Sequence, residues 1–230
     1  MRNWKILTVI LLAGFAGNVM AGDWVNLFDG KTLSGWSVHS GTAKYETKDG
    51  TIIGTTVIGS PNTFLCTDKE YDDFIMEFEV LVDEGLNSGV QVRSQAAQSE
   101  MIFWSVRTRD EKPSKKVLEK DCVYGYQVEI PDNAQGRAGH VYDEARRRIF
   151  LGPEPDPSQK PAFKMNQWNT YRIQCQGDLI QTWVNGVACA DFRDSMDARG
   201  FIGLQVHGVG KKNYKPLQVR WRNIRLQELD

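Results

Sequence analysis

From residue 22 onward, apolar residues recur at every second position. In Asp73 to Asp83, Phe74, Met76, Phe78, Val80 and Val82 fall on one face and Glu77 and Glu79 on the other, the pattern of an antiparallel strand with one buried side. The same period predicts strands over 50–57, 88–93, 124–130, 168–175, 179–184, 201–207 and 217–226. Turn signals separate them at Asp29-Gly30, Asp49-Gly50, Asn87-Ser88-Gly89, Gly177-Asp178 and Asn185-Gly186, and the last predicts a two-residue hairpin. No segment keeps a period of 3.6 over three turns. Residues 101–120 are polar and mixed in sign around Pro113, and 153–161 hold four prolines, so both read as surface loops. About a dozen strands in one all-β domain must close a barrel or stack two sheets. Long strands with one apolar face favour the sandwich, with the first and last strands paired.

The first 21 residues break this pattern. Arg2 and Lys5 precede an apolar run from Ile6 to Phe15, and Val19-Met20-Ala21 closes it with a small-x-small site, the layout of a secretion signal. The run is shorter than the roughly 20 apolar residues that span a membrane. The expectation is a signal peptide over 1–21 and a single exported domain over 22–230, periplasmic or extracellular, with no membrane span in the mature chain. Export permits disulfides, but Cys66, Cys122, Cys175 and Cys189 are irregularly spaced with no C-x-x-C. A disulfide and buried free thiols both stay open. A formal net charge of -1 supplies no basic field for a phosphate backbone, which excludes nucleic acid as the expected partner.

Three predicted strands carry a pattern that core packing alone does not require. Gln91 and Arg93 share one face of the first, Gln127 and Glu129 one face of the second, and Gln205 and His207, with Gly203, one face of the third. Side chains two apart on a strand lie about 7 Å from one another. A solvent face is the default explanation for polar alternation. Planar donors and acceptors, however, fork onto paired hydroxyls, so three such rows side by side would line a sugar-sized surface. Trp104, Trp168, Trp183 and Trp221 could add stacking faces, at least two of them being expected in the core.

These segments carry a resemblance. Asn26-Leu27-Phe28-Asp29-Gly30-Lys31-Thr32-Leu33-Ser34-Gly35-Trp36, Asn87 to Arg93, Gly125 to Ile130, Tyr142-Asp143-Glu144-Ala145-Arg146-Arg147, Leu204 to Gly208 and Trp221 to Ile224 occur in that order. Together they resemble the exported 3-keto-disaccharide hydrolase family (DUF1080), also described as a 3-keto-glycoside lyase/hydratase domain, over essentially all of residues 22–230. The resemblance implies a concanavalin A-like jelly-roll sandwich and work on sugars oxidised at C3. After Arg147 the chain departs from relatives that continue with Gly-Trp-Leu; here Arg148-Ile149-Phe150-Leu151 follows.

A conventional glycosidase needs two carboxyl groups flanking the bond. The strand with Gln127, Glu129 and Pro131 offers one, which counts against that chemistry. A 3-keto sugar needs a base for the acidified C2 hydrogen, an electrophile for the enolate and an acid for the leaving oxygen. The expected catalytic set is His207 as base, Glu129 sharing that role or supplying the acid, and Arg93 at the enolate. Gln91, Gln127, Gln205, Tyr142, Asp143, Glu144 and Arg147 are the expected substrate-binding set. A divalent cation held by His207, Glu129 and Asp143 or Glu144 would suit the enolate, though no ligand spacing demonstrates one. The alternatives are a non-catalytic carbohydrate-binding module of the same fold and an interaction domain; a binding module needs no titratable base.

Overall fold

The computed structural model describes residues 22–105, 112–133, 137–156, 162–211 and 215–229; the expected signal peptide over 1–21 lies outside them. The strands are β1 (Val25–Asn26), β2 (Trp36–His39), β3 (Lys44–Lys48), β4 (Thr51–Thr55), β5 (Thr63–Tyr71), β6 (Phe74–Val82), β7 (Ser88–Ala96), β8 (Met101–Ser105) and β9 (Ser114–Leu118). After them come β10 (Val123–Ile130), β11 (Val141–Glu144), β12 (Phe150–Leu151), β13 (Asn169–Gln176), β14 (Leu179–Val184), β15 (Val187–Arg193), β16 (Gly200–Val206) and β17 (Gln218–Glu228). No helix occurs among the described residues, and none there is long and apolar enough to cross a membrane.

Two antiparallel sheets stack. One runs β15-β14-β13-β6-β17-β4-β3, with β1 also on β17, and the other runs β12-β11-β10-β7-β16-β5-β2. The terminal strands pair as expected, Val25 opposite Leu226. Val90, Val128, Leu204 and Val206 from the second sheet meet Met76, Phe78, Ile173 and Trp221 from the first in one continuous core. Each such side chain contributes about 1.5–3 kcal/mol on burial. The hairpin at Asn185-Gly186 forms between β14 and β15, both residues at positive φ (50° and 80°), as a twist-matched two-residue turn demands.

Two sequence expectations are corrected here. Residues 101–120 do not form a plain loop: β8 and β9 pair as a two-stranded ribbon, Met101 opposite Leu118. The strands β7, β10 and β16 are buried on both faces, unlike β6, which alternates as its sequence does. The ribbon explains part of this, because Leu118, Met101 and Phe103 pack with Tyr124 and Ala97 on the side away from the main core. All four cysteines are free thiols, Cys66 and Cys175 buried. Trp221 is core, Trp104 is exposed on the ribbon, and Trp168 and Trp183 lie beneath the guanidinium groups of Arg222 and Arg172.

Candidate functional site

On the outer side of the second sheet, the end of β10, the turn after β11, the segment after β16 and the ribbon strand β9 enclose a cleft of about 480 Å³. Glu129 and Gln127 rise into it from β10, Tyr142 and Glu144 from β11, and His207 from just beyond β16. Lys116, Val117 and Leu118 of β9 close one wall, and Ala145, Arg148 and Phe150 another.

The glutamines work as a floor. Gln127 Oε1 accepts from Gln91 Nε2 at 2.8 Å and from Gln205 Nε2 at 2.7 Å, which fixes its amide so that Nε2 donates to Glu129 Oε2 at 3.2 Å. Gln91 and Gln205 are fully buried, so they orient Gln127 and do not reach a ligand. Gly89 permits the arrangement, since a Cβ there would lie 2.5 Å from Gln127 Cγ.

Glu129 also accepts from Asn87 Nδ2 through its other oxygen. Burial, reinforced by the Glu144 carboxyl, outweighs both amide donors and pushes its pKa up to about 7, because a desolvated carboxylate is disfavoured. Burial also raises Glu144, whose Oε1 accepts from Asn62 Nδ2 at 3.1 Å. Asn62 Oδ1 accepts from Gly208 N at 2.9 Å, so one side chain ties Glu144 to the segment bearing His207. His207 Nδ1 lies 2.9 Å from the Gly208 carbonyl. A carbonyl can only accept, so Nδ1 carries the hydrogen and the neutral ring offers Nε2 as a base.

The structure does not bring every expected residue here. Arg93 does not line the cleft. Its Nε donates to Asp72 O at 2.5 Å, Nη1 to Gly177 O at 2.6 Å and Nη2 to Asp73 at 2.6 Å, which ties β7 to turns of the opposite sheet. The cause is a bulge: the register of β16 on β7 slips between Phe201 and Gly203, and Arg93 takes φ 49°. That breaks the alternation which placed it beside Gln91. Asp143 is fully buried, paired with Arg146 and Arg147, and Arg147 reaches Asp194 at 2.7 Å. Asp143 and Arg147 therefore fasten the β11–β12 turn from behind and stay out of the cleft. With Asp143 removed, His207, Glu129 and Glu144 remain as cleft groups, and no set of three or more His, Cys, Asp or Glu among the described residues converges to hold a metal ion.

Sequence reasoning missed Asn62, Asn87, Lys116 and Phe150. Asn87 looked like a turn residue, and Lys116 sat in a segment without strand period. Glu144 supplies the second carboxyl that β10 alone lacks: Tyr126 pairs with Asp143 and Gln127 with Tyr142, so the odd-even phase of β11 brings Glu144 to the same side as Glu129.

No curated protein matches the sequence. Among solved structures, the chain is similar to a candidate glycosyl hydrolase from Parabacteroides distasonis, with TM-score 0.52 and 18% identity over 91% of this chain and 94% of that one. It is similar to the carbohydrate binding module CBM66 from Bacillus subtilis, with TM-score 0.54 and 15% identity over 84% and 96% of the two chains. The kappa-carrageenase from Pseudoalteromonas carrageenovora, in complex with an oligotetrasaccharide, gives TM-score 0.55 and 10% identity over 96% and 100%. At these identities the likeness shows the jelly-roll fold, one shared by enzymes and binding modules. The model of the 3-keto-alpha-glucoside-1,2-lyase-like domain matches residues 23–227, and the chain belongs to that family.

Proposed function

We propose that the protein is an exported carbohydrate-active enzyme that cleaves 3-keto-glycosides by β-elimination, with water then adding to the unsaturated product. The observation that carries this reading is Glu129, a carboxyl held at a pKa of about 7 in a cleft that also presents His207. Nε2 of His207 takes the proton from C2, and the electron pair forms the enolate with the C3 oxygen. The carbonyl at C3 then re-forms, a C1–C2 double bond appears, and the C1–O bond breaks. Protonated Glu129 gives its proton to the leaving oxygen, the use to which a carboxyl raised by burial is suited. Lys116, half-buried in the cleft wall, takes the enolate-stabilising place expected of Arg93. Water addition at C1 runs the same transfers in reverse.

A pure binding module accounts for the fold but not for a titratable carboxyl kept on the amide donors of Asn87 and Gln127. The pair Glu129 and Glu144 favours a second reading, ordinary two-carboxyl hydrolysis. Aglycone release from a 3-keto-glucoside, compared with its unoxidised parent, separates the two. Elimination requires the ketone, so the parent stays intact, and kcat/KM falls as pH rises through about 7 with loss of the Glu129 proton. Equal cleavage of both supports ordinary hydrolysis, and cleavage of neither returns the binding module.

A further inference from the structure

The cleft wall opposite the ribbon is made by a turn with an unusual backbone. Between β11 and β12, Ala145 and Arg148 take φ 58° and 59°, a left-handed conformation that non-glycine residues adopt at a cost. The turn is locked by Arg148 N donating to Asp143 O at 2.9 Å and Asp143 N donating to Ile149 O at 2.9 Å, with the buried Asp143–Arg146–Asp197 ion network behind it. Its effect is to present Arg148 to the cleft. Three neighbouring arginines are spent on ion pairs: Arg137 on Glu154, Arg146 on Asp143 and Asp197, Arg147 on Asp143 and Asp194. The Arg148 side chain makes no hydrogen bond or ion pair among the described residues, and it acts on Glu144 only through its charge. Its guanidinium fork is thus available to a ligand.

Charge counting points the same way. Lys116 and Arg148 border the cleft against Glu144 and Glu129, and Glu129 is about half protonated at neutral pH. With Glu129 protonated, two cations face one carboxylate across the cleft, a balance that favours an anionic ligand.

Resting on the elimination reading, we propose that Arg148 is a specificity residue and that the substrate class is 3-keto-glycosides whose aglycone sugar bears an oxyanion, a carboxylate or a sulfate, forked by Arg148. The test uses 3-keto-glucosides of glucuronic acid, of its methyl ester and of glucose 6-sulfate, which differ in the charge of the aglycone. The wild type should favour the charged aglycones over the ester by about tenfold or more at low salt, with the margin shrinking as salt is added. Whichever of the two charged aglycones is preferred identifies the oxyanion. Arg148→Gln should bring the charged-to-ester ratio close to one. Arg148→Gly should do the same while relieving the left-handed backbone, so loss of preference in a protein that melts no lower than wild type is a specificity effect and not a folding one. Equal rates on charged and ester substrates, or a preference that survives Arg148→Gln, would overturn the proposal. Calorimetric titration with methyl glucuronide and methyl glucoside separates the two claims. Preferential binding of the glucuronide without cleavage of any keto-glycoside upholds anion recognition while the elimination reading fails.

Discussion

Glu129 concentrates the residue-scale argument. Its folded pKa of about 7 stands above the 4.5 of an ordinary glutamate, so the folded state binds this proton more tightly than the unfolded chain does. Below about pH 4.5 both states are protonated and the group has no pH-linked effect. As pH rises from there through 7, the folded protein loses stability, reaching a cost of at most about 3 kcal/mol. Glu129→Gln removes that titration but sets its amide against the Gln127 donor, a loss of about 1 kcal/mol. Urea denaturation of the two proteins at several pH values should therefore show the variant gaining on wild type between pH 4.5 and 7, with no further gain above. A pH-independent difference would contradict the raised pKa. The sequence made Glu129, Gln127 and His207 legible because all three follow simple strand alternation. Asn62 and Asn87 were not legible, since their role is set by where two turns end and no local pattern marks it.

Among the elements, β7 shows where reading by period stops working. Gln91 lies where alternation puts it, but the bulge at Arg93 turns a residue two positions later into a clamp between the sheets. Nothing in Val90-Gln91-Val92-Arg93 announces a bulge, because the constraint comes from pairing with β16. The same limit hid the β8–β9 ribbon, whose strands are five residues each and carry no apolar–polar alternation, Met101 to Trp104 being apolar throughout. Arg93 is 1% exposed and its guanidinium is fully engaged. Arg93→Met should cost about 3 kcal/mol by leaving two carbonyls without a donor and Asp73 with the Gly177 N–H but no countercharge. It should lower the melting temperature while leaving the pH profile of turnover unmoved. A change in the apparent pKa near 7 with unaltered stability would return Arg93 to the chemistry.

At the scale of the whole molecule, two sheets and one core follow from period-two patterning, and the paired termini were expected from the class. The cysteines stayed open in the sequence because spacing alone does not fix distance; in the fold all four are free. Thermal unfolding should accordingly be insensitive to reductant, and a drop of several degrees with dithiothreitol would reveal a disulfide. The cleft sits on the outer side of a sheet whose inner side builds the core, so site chemistry can vary without disturbing packing. That arrangement suits a fold which hosts both enzymes and binding modules.

The central claim, that His207 and Glu129 act as base and acid of an elimination, is tested most directly by varying the leaving group. Release of p-nitrophenol and of methanol from the matching 3-keto-glucosides would be measured for wild type, Glu129→Gln and His207→Ala. The account predicts that Glu129→Gln loses about a hundredfold or more on the methyl glycoside yet keeps most activity on the p-nitrophenyl one, whose leaving group needs no acid, while His207→Ala loses both. Equal losses for Glu129→Gln on the two substrates, or full activity in His207→Ala, would contradict it.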